Sequence, residues 1–278
     1  MHDMFSMSHP SESTGTLIPV ESTNDQEYID GVPAVHVSDT PEDFAAFLDM
    51  LLPPVVHPHP APSPSFNFIC GVLRMAHKYL IEDLKNWAVS LLQSRYPLQI
   101  EGIRVDRDLS VFKDPDVAAQ LIVIARLVDL PYFLPMAFYA LATHDWLANP
   151  HKQQQCETII SQLSSSDQSR IITGRAALQK EITTRAFERS DWRGLGEECR
   201  NKANEGFWCA MGRKTDVWKN PAKRFSFFML QPLEELTSTI MHAGGIPALC
   251  QGCNQSVGAM AIKMRVELFE LLPEMFDL

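Results

Sequence analysis

Four cysteines in the C-terminal part of the chain, Cys199, Cys209, Cys250 and Cys253, have the spacing that comes closest to a chemical site. Two residues separate Cys250 from Cys253, a gap at which both thiolates can bind one tetrahedral zinc ion. Cys199 and Cys209 could complete a structural zinc site, but the spacing between them is not that of a zinc knuckle. Separate buried or surface thiols are therefore the favoured interpretation, and structural zinc is the alternative.

The sequence contains no other pattern that is typical of an enzyme. It has no glycine-rich phosphate loop, no His-Glu-x-x-His motif and no Gly-x-Ser-x-Gly nucleophile elbow. The adjacent carboxylates at 197–198 and 234–235 would point apart on a helix, so we expect them on a solvated surface. His57 and His59 lie in a proline-rich stretch that is typical of a loop. We predict a protein with no catalytic activity and no cofactor.

Composition excludes several classes of partner. The net charge is -10, whereas binding to a nucleic-acid backbone needs clustered Lys and Arg. No stretch approaches the length of uninterrupted apolar residues that a membrane span requires. Met1 precedes His2 and Asp3 rather than a basic and then apolar leader, and six cysteines without such a leader suit reduced thiols. We expect a cytoplasmic or nuclear protein that binds neither nucleic acid nor membranes.

A helix hairpin over residues 66–96 is the clearest structural prediction. Its apolar residues recur at steps of three and four, which places them on one stripe of each helix. Ser65 can cap the first helix, a tight turn falls near Tyr79, and Pro97 stops the second helix. The two stripes consist of Phe66, Ile69, Cys70, Leu73 and Ala76, then Leu80, Leu84, Trp87, Ala88, Leu91 and Leu92.

Before the hairpin, the sequence predicts a turn at Asp30-Gly31, a strand at Pro33–Val37 and a helix from Pro41 that Ser38 or Thr40 caps. After it, the pattern predicts only helices and an irregular segment. The predicted helices are one that Asp114-Pro115 opens, one from Pro131 through about Trp146, one that Ser166-Asp167 caps, and two at Phe225–His242 and Ser256–Leu272. The irregular segment covers 189–220.

Several of these stretches resemble the fungal members of the BTB/POZ family. Residues 38–43 (SDTPED) are similar to the family's Ser-Asp-x-Pro-Glu-Asp, and residues 72–79 (VLRMAHKY) are similar to its Leu-Leu-Arg-x-x-His-Lys-Tyr. Tyr96-Pro97 resembles the Tyr-Pro after the family's final helix. Residues 127–146, the Gly174-Arg175 segment and the C-terminal LPEMFDL also resemble the family's later segments.

The resemblance implies an α+β, mostly α-helical chain. It implies a partial BTB/POZ-like domain at residues 1–100 and an all-helical region at residues 101–278. HDMF at 2–5 resembles the end of the helix that closes the family's first half, so the family's opening hairpin and helix lack a counterpart here. Homodimerisation is possible, but the segments that build much of the family's dimer face are absent from this sequence.

The function that the resemblance implies is a non-enzymatic scaffold or adaptor of BTB type that binds other proteins, whose identity stays open. The family's ligase-adaptor activity is not carried over, because its contact surface needs the absent segments. The alternative is a small-molecule binder or an enzyme in the helical C-terminal half, with a site between helices such as 131–146 and 225–242.

Overall fold

A computed structural model describes residues 27–52, 64–96, 114–144, 153–188, 233 and 250–278. The chain forms two compact units, Met1–Asp39 and Thr40–Leu278. The described residues are mostly helical, with one small sheet of two strands, so the prediction of a mostly α-helical chain is confirmed. The partial BTB/POZ-like domain and the domain boundary at residue 100 stay predictions.

In the first unit, β1 (Tyr28–Ile29) and β2 (Val32–Pro33) form an antiparallel hairpin in which Ile29 lies opposite Val32. Its turn is the predicted Asp30-Gly31, with φ of 52° and 79°, the left-handed pair that suits a two-residue hairpin. The predicted strand at Pro33–Val37 is wrong in extent. The last described pairing bond runs from the Ala34 N–H to the Glu27 carbonyl at 2.7 Å, and residues 35–37 lie beyond it.

The second unit begins with α1 (Pro41–Leu51), α2 (Phe66–Lys78) and α3 (Glu82–Arg95). Thr40 and Ser65 cap α1 and α2 through their hydroxyl oxygens, as the sequence predicts. α2 and α3 form the predicted hairpin. They are antiparallel, because Phe66 at the start of α2 packs edge-on against Tyr96 after α3, with 5.7 Å between ring centroids.

The described helices that follow are α4 (Pro115–Leu127), a 3₁₀ turn (Pro131–Phe133), α5 (Leu134–Thr143), α6 (Gln153–Ser161), α7 (Ser165–Glu188), α8 (Gln251–Glu270) and α9 (Leu272–Met275). α4 begins at Pro115, as predicted, and the Asp114 side chain caps it. Ser164 caps α7, so the predicted cap at Ser166-Asp167 is wrong by two positions. Helix α6 was not predicted, and α8 begins at Gln251 rather than at Ser256.

One cluster of buried apolar side chains includes residues on both sides of position 100, from Ala46 to Phe276. In helix α5 every residue except the half-buried Pro135 is buried. The chain end is held by Phe276, which is fully buried and stacks on Phe138 at 5.6 Å. A side chain at Gly174 of α7 would overlap the Phe276 ring, so glycine there makes this docking possible.

Candidate interaction surface

An ion pair joins α1 to α2. The Arg74 Nε donates to Asp43 Oδ2 at 2.7 Å, and a terminal nitrogen of Arg74 donates to Oδ1 at 2.6 Å. This two-bond geometry matches the planar guanidinium to the carboxylate, and the Asp43 side chain is only 15% exposed. The contact raises the pKa of Arg74, chiefly through its hydrogen bond to Asp43, so the guanidinium is held charged.

Gly71 allows the two helices to approach this closely. A Cβ at Gly71 would lie 2.8 Å from Asp43 Oδ1 and 3.3 Å from Asp43 Cα. Asp43 is in the first turn of α1, where Thr40 caps the helix, and a carboxylate there is also favoured by the helix dipole. Local capping therefore fixes the position at which the α1 carboxylate meets the α2 guanidinium.

A ring stack forms the second contact between α1 and α2. Phe47 stacks on Tyr79 with 5.5 Å between ring centroids and 20° between ring planes. Asp43 and Phe47 are one turn apart on α1, and their partners Arg74 and Tyr79 follow in the same order on α2. The ring stack therefore lies about one turn further along each helix than the ion pair.

Leu80 follows this stack in an unfavourable backbone conformation. The Ile81 N–H donates to the Ala76 carbonyl at 2.9 Å and the Leu80 N–H to the His77 carbonyl at 3.3 Å, which is a Schellman ending. That ending places Leu80 in the left-handed region with a φ of 57°, where glycine is usual. After α4 the Leu130 N–H likewise donates to the Ala125 carbonyl, at 2.8 Å, and the left-handed position there is taken by Asp129, a residue type that tolerates this region.

Exposed leucines are close in sequence to the stacked rings, since Leu48 follows Phe47 and Leu80 follows Tyr79. Leu80 is 79% exposed, although it adjoins a stacked ring. On α1, Leu48 and Leu51 are also exposed, together with Leu52 at the C-cap. These four side chains, Leu48, Leu51, Leu52 and Leu80, form what we call the leucine surface. Clustered exposed apolar residues of this kind are typical of protein-binding sites.

An open groove of about 450 Å³ lies along the other side of α1. It is lined by side chains from α1, α2 and α4, which include the buried Ala46 and the half-buried Phe68. The Asp43–Arg74 pair lies in its wall, and Glu42 and Asp49 add two further carboxylates. The described lining therefore carries three carboxylates and one guanidinium, a formal charge of -2 at neutral pH.

The Cys70 thiol, on the same helix as Arg74, is held in its unreactive protonated form at neutral pH. Cys70 is fully buried in α2, and burial raises its pKa to about 12, while Arg74 opposes the shift less strongly. The thiolate is the reactive form of cysteine. Cys70 therefore packs as a small apolar residue.

The proposed zinc ligands lie largely outside the described residues. Cys199 and Cys209 fall outside them, and for Cys253 the structure gives only its place in α8. Cys250 is half-buried at the N-cap position of α8. Among the residues that the structure describes, no cluster of His, Cys, Asp or Glu could hold a metal ion. The zinc alternative stays untested.

The structure also describes residues of the predicted hairpin and part of the proposed ligand site. His77 and Trp87 are half-buried, with Trp87 packed against the core. Of the two helices proposed to enclose a ligand site, residues 131–143 are described, whereas 225–242 falls outside the description except for Leu233. The Leu233 N–H donates to the buried Tyr139 hydroxyl at 3.0 Å. The leucine surface and the Asp43–Arg74 pair were not predicted.

Comparison with protein-family models, with curated proteins and with solved structures gave no match for this chain. Within the described parts of the chain, no helix is both long enough and apolar enough to span a membrane.

Proposed function

We propose that the protein is a non-enzymatic interaction module of BTB type, a scaffold or adaptor that binds another protein through the leucine surface. The observation that carries the proposal is the exposure of Leu80 beside the Phe47–Tyr79 stack. A leucine in the left-handed region costs about 1 kcal/mol relative to glycine. A side chain that is both strained and exposed contributes little to the fold, and a binding role gives it a reason to be leucine.

Contacts between the two BTB-like stretches, residues 38–43 and 72–79, support the proposal that the module is of BTB type. Asp43 belongs to the first stretch and Arg74 to the second, and the two side chains form the ion pair between α1 and α2. Tyr79, also in the second stretch, stacks on Phe47. The residues that carry the resemblance thus have a common structural role, which is to pack α1 on α2.

The test is a quantitative capture experiment with three forms of the full chain. The first is the unchanged protein, the second carries Leu48→Ser and Leu51→Ser, and the third carries Ile172→Ser as the control. Ile172 is a matched control because it is 71% exposed on α7. Leu48 and Leu51 are 36% and 40% exposed, so their replacement costs some stability, and thermal unfolding is used to confirm that all three forms are folded at the temperature of the capture experiment.

We expect a partner protein that the unchanged chain and the Ile172→Ser variant both retain. The leucine variant should lose this partner by about tenfold, since burial of the exposed 36% of Leu48 and 40% of Leu51 contributes roughly 1–2 kcal/mol together. Equal retention by all three forms would reject the leucine surface as the binding site. Turnover of a small molecule by the purified chain would reject the non-enzymatic proposal.

A further inference from the structure

We infer that the outward face of α1, with the groove beside it, binds a basic amphipathic helix of a partner protein. This inference rests on the proposed function and names the chemistry of the partner. It depends on how apolar and acidic side chains divide the outward face of a single helix.

Successive residues of a helix are about 100° apart. On that basis the buried side of α1 contains Asp43, Ala46 and Phe47, and the described burial agrees. The outward side divides into two edges. The carboxylates Glu42 and Asp49 lie about two turns apart on the edge that lines the groove. Leu48 and Leu51 lie on the opposite edge, beside the ring stack.

Ala45 lies between the two edges and is exposed. A small residue at the middle of a helix face lets a second helix approach closely, with larger residues on either side of the contact. An incoming helix with leucine-type residues at i, i+3, i+4 and i+7 would place that stripe over Ala45 and Leu48. One flank of the same helix would then lie over Glu42 and Asp49.

The charge of the groove lining determines which residue types are favoured on that flank of the incoming helix. The described groove lining has a formal charge of -2, since three carboxylates and one guanidinium line it. The whole chain has a net charge of -10, so it also attracts cationic segments at longer range. Lys or Arg on the flank is attracted, and Asp or Glu is repelled. An acidic helix or a nucleic acid would meet like charge at this surface.

The probes for the test are three fluorescently labelled 18-residue helical peptides. The first carries a leucine stripe at i, i+3, i+4 and i+7 with lysine at its other positions. The second replaces each lysine with glutamate, and the third keeps lysine but replaces each leucine with serine. Their affinity for the full chain is measured by fluorescence anisotropy at low and at high salt.

Two charge-reversal variants of the chain are matched in net charge. One carries Glu42→Lys and Asp49→Lys in the groove. The control carries Glu157→Lys and Glu274→Lys, two exposed positions on α6 and α9. The neutral variant with Glu42→Gln and Asp49→Asn covers the case in which lysine in the first turn of α1 weakens the fold.

We expect the lysine–leucine peptide to bind most tightly, with an affinity that falls as salt rises. Reversal in the groove should weaken it by about tenfold, since exposed ion pairs contribute up to about 1 kcal/mol each. The neutral variant should lose less of its affinity for this peptide than the charge-reversal variant does. The control variant should bind the peptide about as tightly as the unchanged protein does. The lysine–serine peptide should bind weakly to every form.

Two results would overturn the inference, and they differ in what they say about the proposed function. Leucine-dependent binding with no preference for lysine over glutamate would reject the basic partner and leave the leucine surface as a binding site. Equal weakening by the groove variant and the control would show attraction to the whole chain rather than to α1. In either case the capture experiment with Leu48→Ser and Leu51→Ser still decides the proposed function.

Discussion

Asp43 and Arg74, which are 31 positions apart in the chain, are joined by two hydrogen bonds of 2.6 and 2.7 Å. They belong to different helices, and the bonds hold those helices at the distance that Gly71 permits. The ring stack of Phe47 on Tyr79 is a second contact between the same two helices, and the exposed Leu48 and Leu80 each follow one of the stacked rings in sequence.

The ion pair should contribute measurably to stability. Arg74→Met leaves the largely buried carboxylate of Asp43 without its guanidinium, so we expect a loss of about 1.5–3 kcal/mol in the free energy of unfolding. Asp43→Asn should cost a similar amount, and the double variant should cost less than the sum of the two. Denaturant unfolding of the four forms measures this coupling, and strict additivity would contradict a direct interaction.

The docking of the chain end depends on Gly174 and Phe276. Gly174→Ala should cost about 1–3 kcal/mol, because the new methyl overlaps the Phe276 ring. In a Phe276→Ala background that overlap is gone, and the same change should be neutral or stabilise by up to about 1 kcal/mol through helix propensity. Thermal unfolding of the two pairs of variants tests this reversal of sign. A similar cost in both backgrounds would rule out the contact.

Alkaline pH should destabilise the fold. Burial raises the pKa of Cys70 from 9.0 to about 12 and the pKa of Tyr96 from 10.0 to about 12. Between pH 9 and 12 the unfolded chain releases protons that the folded chain retains, so stability is full below pH 9 and is lost as pH rises towards 12. Cys70→Ala with Tyr96→Phe should flatten this fall, whereas Tyr28→Phe in the exposed hairpin should not. If the double variant lost stability with rising pH as steeply as the unchanged protein, the raised pKa values of Cys70 and Tyr96 would be contradicted.

The cysteines of the C-terminal region give a prediction about metal content. If the favoured interpretation of separate thiols is right, elemental analysis of the purified protein should find far less than one equivalent of zinc. One equivalent that is lost in Cys250→Ser and Cys253→Ser, and kept in Cys70→Ser, would establish the structural zinc site instead. Cys70 is a suitable control because it is buried in α2.

Local signals in the sequence predicted much of the fold. Thr40, Ser65 and Asp114 cap the helices where the pattern places caps, because a side-chain oxygen before a helix satisfies its free N–H groups whatever the rest of the chain does. The turn at Asp30-Gly31 likewise depends on residues that adopt positive φ. Helix α6 was missed, because it begins with Gln153 and two further glutamines and so has no apolar stripe in its first turn.

The candidate surface could not be predicted in the same way. Arg74 has the spacing of a solvated helix position, and its partner Asp43 lies on another helix, so only the tertiary packing brings the two together. Leu80 fits the apolar stripe of α3, yet the Schellman ending of α2 turns it into solvent. A leucine in a position that favours glycine becomes recognisable only when its backbone conformation is known.

The most direct test of the leucine surface is the substitution Leu80→Gly, measured in two ways. Glycine relieves the positive φ of Leu80, so we predict that the free energy of unfolding rises by about 1 kcal/mol. The same change removes the most exposed leucine of the surface, so retention of the captured partner should fall by about tenfold. A protein that is more stable and binds less would mean that Leu80 serves binding at the expense of the fold. A loss of stability with unchanged partner retention would contradict the account.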